Sequence, residues 1–132
     1  MTTLFCPYCW LEIESGVVIC PQCQASLTED HRNYVDKLIA ALRHPEGFTQ
    51  RRAAYVLGLI GDPRAVEALI AVLQHGEADP YVRAQVTETL GLIGTSKARS
   101  VLEQVANDAN QSVLVRHKAA TALEGYVTAA RD

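Results

Sequence analysis

Four cysteines are the residues of this 132-residue chain whose type and spacing converge on a single chemistry. They stand as Cys6-Pro7-Tyr8-Cys9 and Cys20-Pro21-Gln22-Cys23, two C-x2-C pairs with ten residues between them. Each pair presents two sulfurs on one tight turn, and a short intervening hairpin folds the second pair over the first. The result is a closed tetrahedral S4 site with no open position for water or substrate, so a metal held there is structural rather than hydrolytic. Zinc is the expected ion and iron the lesser alternative, because tetrathiolate sites accept either. Disulfides would be the competing use of the four thiols. The opening Met-Thr-Thr-Leu-Phe has neither the charged nor the apolar region of a secretory signal, so a cytoplasmic, reducing setting is expected instead.

The residues between the pairs fit a hairpin. Leu11 and Ile13 alternate with Glu12 and Glu14, Ser15-Gly16 is a turn signal, and Val17-Val18-Ile19 is a β-branched run. A unit ending near Leu27 is too small to fold by burial alone. Metal binding at such a site contributes about 10–16 kcal/mol, which is then the folding free energy. On these knuckles residues 4–27 resemble zinc ribbons. Those knuckles often carry glycine directly after the second cysteine, whereas Trp10 and Gln24 stand there, so a less regular turn is expected and Trp10 is free to pack on whatever follows. The Cys6–Cys9 tetrapeptide also resembles the glutaredoxin redox motif. That motif opens a helix in an α/β fold, and the second C-x2-C that follows at once argues against it.

What must position this clasp is a repeated array. Leu57-Gly58-Leu59-Ile60-Gly61 recurs as Leu90-Gly91-Leu92-Ile93-Gly94, and the same 33-residue register pairs Val82-Arg83 with Val115-Arg116 and Leu69 with Leu102. Two amphipathic stretches per period make a stacked array of helical hairpins. Asp62-Pro63, Thr95-Ser96, Asp79-Pro80 and Ser112 read as helix starts, and Gly61 and Gly94 as helix ends. Helices are expected at 29–43, 48–59, 63–74, 80–92, 96–107 and 112–130. The fold class is therefore mostly α, a short α-solenoid with a small N-terminal β-hairpin ribbon, divided at 1–27 and 28–132.

The V-R, L-G-x-I-G-D-P pattern at 51–74 and 82–107 resembles HEAT repeats, in particular the phycobilisome-lyase type. The third unit departs from it, with Glu124-Gly125-Tyr126-Val127 and no second helix. That resemblance implies a surface along the second helices, where Asn33, Asp36, Arg43, Arg64, Glu67, Gln74, Lys97, Ser100 and Gln104 share one register. A peptide or protein is the expected occupant. The apolar side of the last helix, Val115, Ala119, Leu123 and Val127, has no following partner and is expected to support a homodimer or a contact with another protein. Arg83 and Arg116 recur at one position and are expected to reach loop carboxylates, Asp62 or Asp79, of neighbouring units.

Composition narrows the function. Hydrophobic residues are 48% of the chain, aromatic residues 6%, and the net charge is −3. Residues 1–31 contain no lysine or arginine, which argues against nucleic acid as partner. No apolar run approaches the roughly 20 residues that cross a membrane. Iron hydroxylases built from HEAT repeats use paired His-Glu motifs, and none of His31, His44, His75 and His117 is followed by glutamate. The expectation is a non-enzymatic interaction scaffold. Its alternatives are a nucleic-acid-associated zinc-ribbon accessory protein and a bilin-lyase-like accessory subunit.

Overall fold

The computed structural model describes residues 3–6, 8–14, 16–27, 33–75 and 78–131, with side chains from Cys6 to Gly125. Strands β1 (Thr3–Phe5) and β2 (Glu12–Glu14) pair antiparallel, Leu4 opposite Ile13. This differs from the expected hairpin, in which β2 would pair with the Val17–Ile19 run. The first knuckle is itself the connection of the β1–β2 hairpin. The β-branched run makes only an isolated bridge, Ile19 to Ser26, across the second knuckle. Ser15 of the expected turn lies outside the described residues. Among the described side chains of this unit the buried ones are Cys6, Ile13 and Cys20, with Tyr8, Leu11, Val17 and Leu27 packed around them.

Six helices follow: α1 (Tyr34–Ala41), α2 (Gly47–Ile60), α3 (Val66–Gln74), α4 (Pro80–Ile93), α5 (Ser96–Ala106) and α6 (Val113–Arg131). The expected start of the first helix at 29 falls on residues outside the description. The caps are those the sequence advertises. Asp79 accepts from the N–H groups of Tyr81 and Val82, and Thr95 from Ala98. Asp62 opens a single 3-10 turn, Pro63–Ala65, before α3 proper. Gly61 and Gly94 end α2 and α4 at φ 73° and 74°, where only glycine is unstrained.

Helices α2, α4 and α6 stack as one layer and α1, α3 and α5 lie as the other. One hydrophobic core runs between them, from Leu42 through Leu57, Leu69, Leu90 and Leu102 to Val115 and Ala119. Close approach within the α2–α4–α6 layer depends on two glycines of the repeated motif. A Cβ on Gly58 would lie 3.2 Å from the Thr89 hydroxyl, and one on Gly91 only 2.7 Å from the Ala122 Cβ. That layer consumes the face of α6 that was expected to lie open, for Val115 and Ala119 are fully buried against α4 and α5. Leu123 is partly buried there as well, and the side chain of Val127 lies outside the description.

The arginine ladder exists but has different rungs. Arg83 donates from Nη1 to the carbonyl of Leu73 (3.1 Å) and from Nε to that of Ala78 (3.0 Å), and Nη1 also reaches the Gln111 side-chain oxygen (3.2 Å). Its acceptors are the Leu73 carbonyl at the end of α3, the Ala78 carbonyl just before α4 and the Gln111 side chain, not Asp62 or Asp79, whose carboxylates are occupied as caps. Gln50, at the same repeat position, does the same to the Leu42 carbonyl at 2.9 Å. The Nε of Arg116 is buried with no hydrogen-bond partner among the described residues.

Candidate metal centre

Both knuckles have the same backbone. The N–H of Cys6 donates to Leu11 and that of Trp10 to Cys6; fourteen residues on, Cys20 donates to Ala25 and Gln24 to Cys20. Trp10 and Gln24 both sit at φ 64°. The irregular turn expected from the missing glycines does not occur. The chain holds the left-handed geometry with two residues that resist it, at about 1–2 kcal/mol each.

These turns bring four sulfurs together, all within 4.8 Å of one another. Cys6 and Cys23 are 3.7 Å apart and Cys9 and Cys20 3.6 Å, with all four thiols free. Metal–sulfur bonds of about 2.3 Å in a tetrahedron give sulfur–sulfur edges of about 3.8 Å. Such a cluster is unstable as four thiolates without a cation, and the thiol acidities spread accordingly. Cys20 is lowered to about 6 by the backbone N–H groups of Cys23 and Gln22 that donate to it. For Cys9 the Leu11 N–H pulls downward, but burial and the thiols of Cys20, Cys6 and Cys23 push it up to about 12. Cys23 also lies above its ordinary value, the Ala25 N–H lowering it while burial and the thiols of Cys20 and Cys6 raise it. Cys6 and Cys20 are fully buried, whereas Cys23 is exposed, so one edge of the cluster faces solvent.

The first knuckle is bolted to the array. The indole N–H of Trp10 donates to the Ala40 carbonyl at the end of α1, and its ring meets His44 edge-on at 4.5 Å. Arg43 donates to the Tyr8 carbonyl at 2.6 Å. Packing of Trp10 on the helices was legible in the sequence; the role of Arg43 as a tie to the knuckle was not.

Much of the polarity of the surface residues expected to share a register is satisfied internally. Asn33 caps α1, accepting from the Asp36 N–H. Arg64 spans Asp62 at 3.0 Å and Asp36 at 3.6 Å, and Glu67 pairs with Lys97, which bridges α3 to α5. Gln74 and Gln104 border a shallow depression between α3 and α5, and Ser100 is exposed beside it. Sequence reasoning missed a cleft of about 760 Å³ between α1 and α3, bordered by Tyr8, Arg43 and His75.

A repeat fold with a cysteine clasp defines the class. The HEAT-repeat signature matches residues 35–124, and the chain belongs to that family. Its relatives narrow the comparison. Deoxyhypusine hydroxylase of Neurospora crassa is 28% identical over 97 residues, 74% of this chain and 30% of the relative. That of Eremothecium gossypii is 35% identical over 89 residues, 67% of this chain and 27% of the relative. The solved structure of human deoxyhypusine hydroxylase in complex with glycerol superimposes with a TM-score of 0.64 at 26% identity, over 72% of this chain and 33% of that one. The chain thus spans about a third or less of the length of these relatives.

These likenesses correct several expectations. A non-enzymatic scaffold, with its nucleic-acid and bilin-lyase alternatives, does not agree with relatives that are named as one enzyme. The placing of iron as the lesser alternative to zinc is overturned with it, because the relatives are named as a hydroxylase. Both errors have a physical origin. The helical period is the same whether an array binds or catalyses, and an S4 spacing does not discriminate the two metals. The array itself offers no second place for a metal among the described residues, however. Among them the one cluster of three or more histidines, cysteines or carboxylates able to hold a metal is the cysteine set. Among the described residues, no helix is long and apolar enough to cross a membrane.

Proposed function

We propose that this chain is a metal-dependent member of the hydroxylase branch of HEAT proteins, with its metal, iron first, held by Cys6, Cys9, Cys20 and Cys23 on a ribbon of the zinc-ribbon type. The observation that carries this reading is the closure of four sulfurs to tetrahedral spacing at the end of an array similar to deoxyhypusine hydroxylase. A single iron in four thiolates supplies one-electron oxidation and reduction, and a filled coordination sphere excludes substrate from the metal itself. The residues therefore serve electron exchange across the solvent-facing Cys23 edge. Knuckle N–H groups donating to the sulfurs favour the reduced, more negative state.

The test is purification from iron-replete cells without added metal. One iron per chain, a thiolate-to-iron absorption band that bleaches with dithionite, and loss of both in a Cys6→Ser, Cys9→Ser variant are expected. The same preparation is reduced, and its reoxidation by a one-electron acceptor is followed at that absorption band. Redox-silent protein, or iron retained in full by the Cys6→Ser, Cys9→Ser variant, would end this proposal.

A further inference from the structure

Along the α1–α3–α5 layer, α3 packs directly on α5 and is tied to it through Glu67 and Lys97. Between α1 and α3 lies the cleft instead. Its volume, about 760 Å³, falls within the range of small-molecule sites, roughly 300–1,000 Å³. The helix walls are made of Ile39, Ala40, Ala68, Ala71 and Val72, whose small or aliphatic side chains leave room for an unbranched tail rather than an aromatic plane. The ends differ in charge. Asp36 stands at one end, where Arg64 lies 3.6 Å away and offsets it. Seven residues along, about 10 Å at helical rise, stands Arg43. Its guanidinium is held by the neutral carbonyl of Tyr8, so among the described residues no carboxylate cancels its charge. His75 borders the cleft as well, adding a polar ring to its lining.

We infer that the α1–α3 cleft binds an aliphatic carboxylate, its tail along the alanine wall and its head on Arg43. The cleft is complete only with the first knuckle in place, because Tyr8 forms part of its lining and fixes Arg43. The inference holds whichever metal the cysteines carry, and it stands apart from the hydroxylase reading.

Trp10 is the single tryptophan, and its indole N–H rests on the carbonyl of Ala40, a cleft residue. Its emission therefore reports occupancy. Metal-loaded full-length chain is titrated with octanoate, octylamine and octanol, and with an N-acetylated peptide ending in leucine beside its C-terminal amide. Octanoate or the free-acid peptide should give a saturable change, with the amine, alcohol and amide at least about tenfold weaker. Octanoate alone assigns a free acid; the peptide assigns a chain terminus. Ala71→Leu fills the cleft and should weaken binding by about tenfold or more at unchanged metal content, with Ala68→Leu as the second variant should the first fail to fold. Absence of saturation with both acids, equal binding of octylamine, or wild-type affinity in a folded cleft-filling variant overturns the inference.

Discussion

Trp10 and Gln24 form a natural pair of controls, since they occupy the same left-handed position in two superposable knuckles and differ in what their side chains touch. Replacing either by glycine relieves about 1–2 kcal/mol of backbone strain and costs about 0.5–1 kcal/mol of extra chain entropy. Gln24 gives up only an exposed bond to the Pro21 carbonyl. Gln24→Gly should therefore be neutral to stabilising, by up to about 1 kcal/mol. Trp10 gives up the bond to the Ala40 carbonyl, about 1 kcal/mol, and the edge-on contact with His44, about 0.5–1.5 kcal/mol. It also loses a partly buried indole, which adds about 1–2 kcal/mol. Trp10→Gly should end about 2.5–4.5 kcal/mol below Gln24→Gly. Urea unfolding followed by circular dichroism gives the difference, and competition with a chromophoric chelator gives the metal affinities of both variants. If the two variants unfold together, Trp10 does not couple ribbon to array and the docking argument fails.

Chelation of the metal, or Cys20→Ser, should unfold the ribbon while α2 to α6 retain their helicity, read as lost amide protection confined to residues 3–27. Arg83→Met should destabilise by about 2–4 kcal/mol by orphaning the Leu73 and Ala78 carbonyls, and Arg83→Lys should recover part of this in the same urea titration. Gly91→Val should cost about 1–3 kcal/mol through its clash with Ala122, whereas Gly125→Ala, with nothing within 4 Å of the new methyl, should gain up to about 1 kcal/mol. The Asp62 carboxyl lies below its ordinary 3.8, held there by the Arg64 backbone N–H and then by its guanidinium. Its contribution is therefore present above pH about 4 and lost as pH falls through the depressed value, so Asp62→Asn should flatten the acid limb of the stability curve below pH about 4.

Most of the array was readable because its signals are local. An aspartate before proline, a threonine before serine and a glycine after Leu-Ile each act within one turn, and the 33-residue recurrence multiplies them. The four-sulfur cluster was readable for the same reason, as two short turns. What escaped depends on contacts remote in the chain. The pairing of β2 with β1 rather than with Val17–Ile19 turns on three residues at the extreme N-terminus, whose alternation is too short to register. Carboxylates near an arginine in sequence invite an ion pair, yet Arg83 meets carbonyls ten and five residues away, brought to it by the turn between α3 and α4. The open face of α6 was inferred from a missing next helix, whereas α4 and α5 approach it from behind.

The likeness to a hydroxylase raises a question that the array answers through its own charges. A metal centre between helices needs several carboxylates and imidazoles free of other work and aimed at one point. Here Asp62 and Asp79 cap helices, Asp36 lies within reach of Arg64, Glu67 holds Lys97, and Glu88 lies 3.9 Å from Lys118. His44 accepts from the Glu46 N–H and meets Trp10 edge-on. Groups committed in this way stabilise helix ends and repeat-to-repeat contacts, and withdrawing any of them to bind metal would expose the carbonyl or charge it now satisfies. The shape of the array is therefore separable from a metal set within it. Among the described residues the set able to hold a metal is the cysteine clasp, and Trp10 and Arg43 are the residues through which its loading would be felt by the helices.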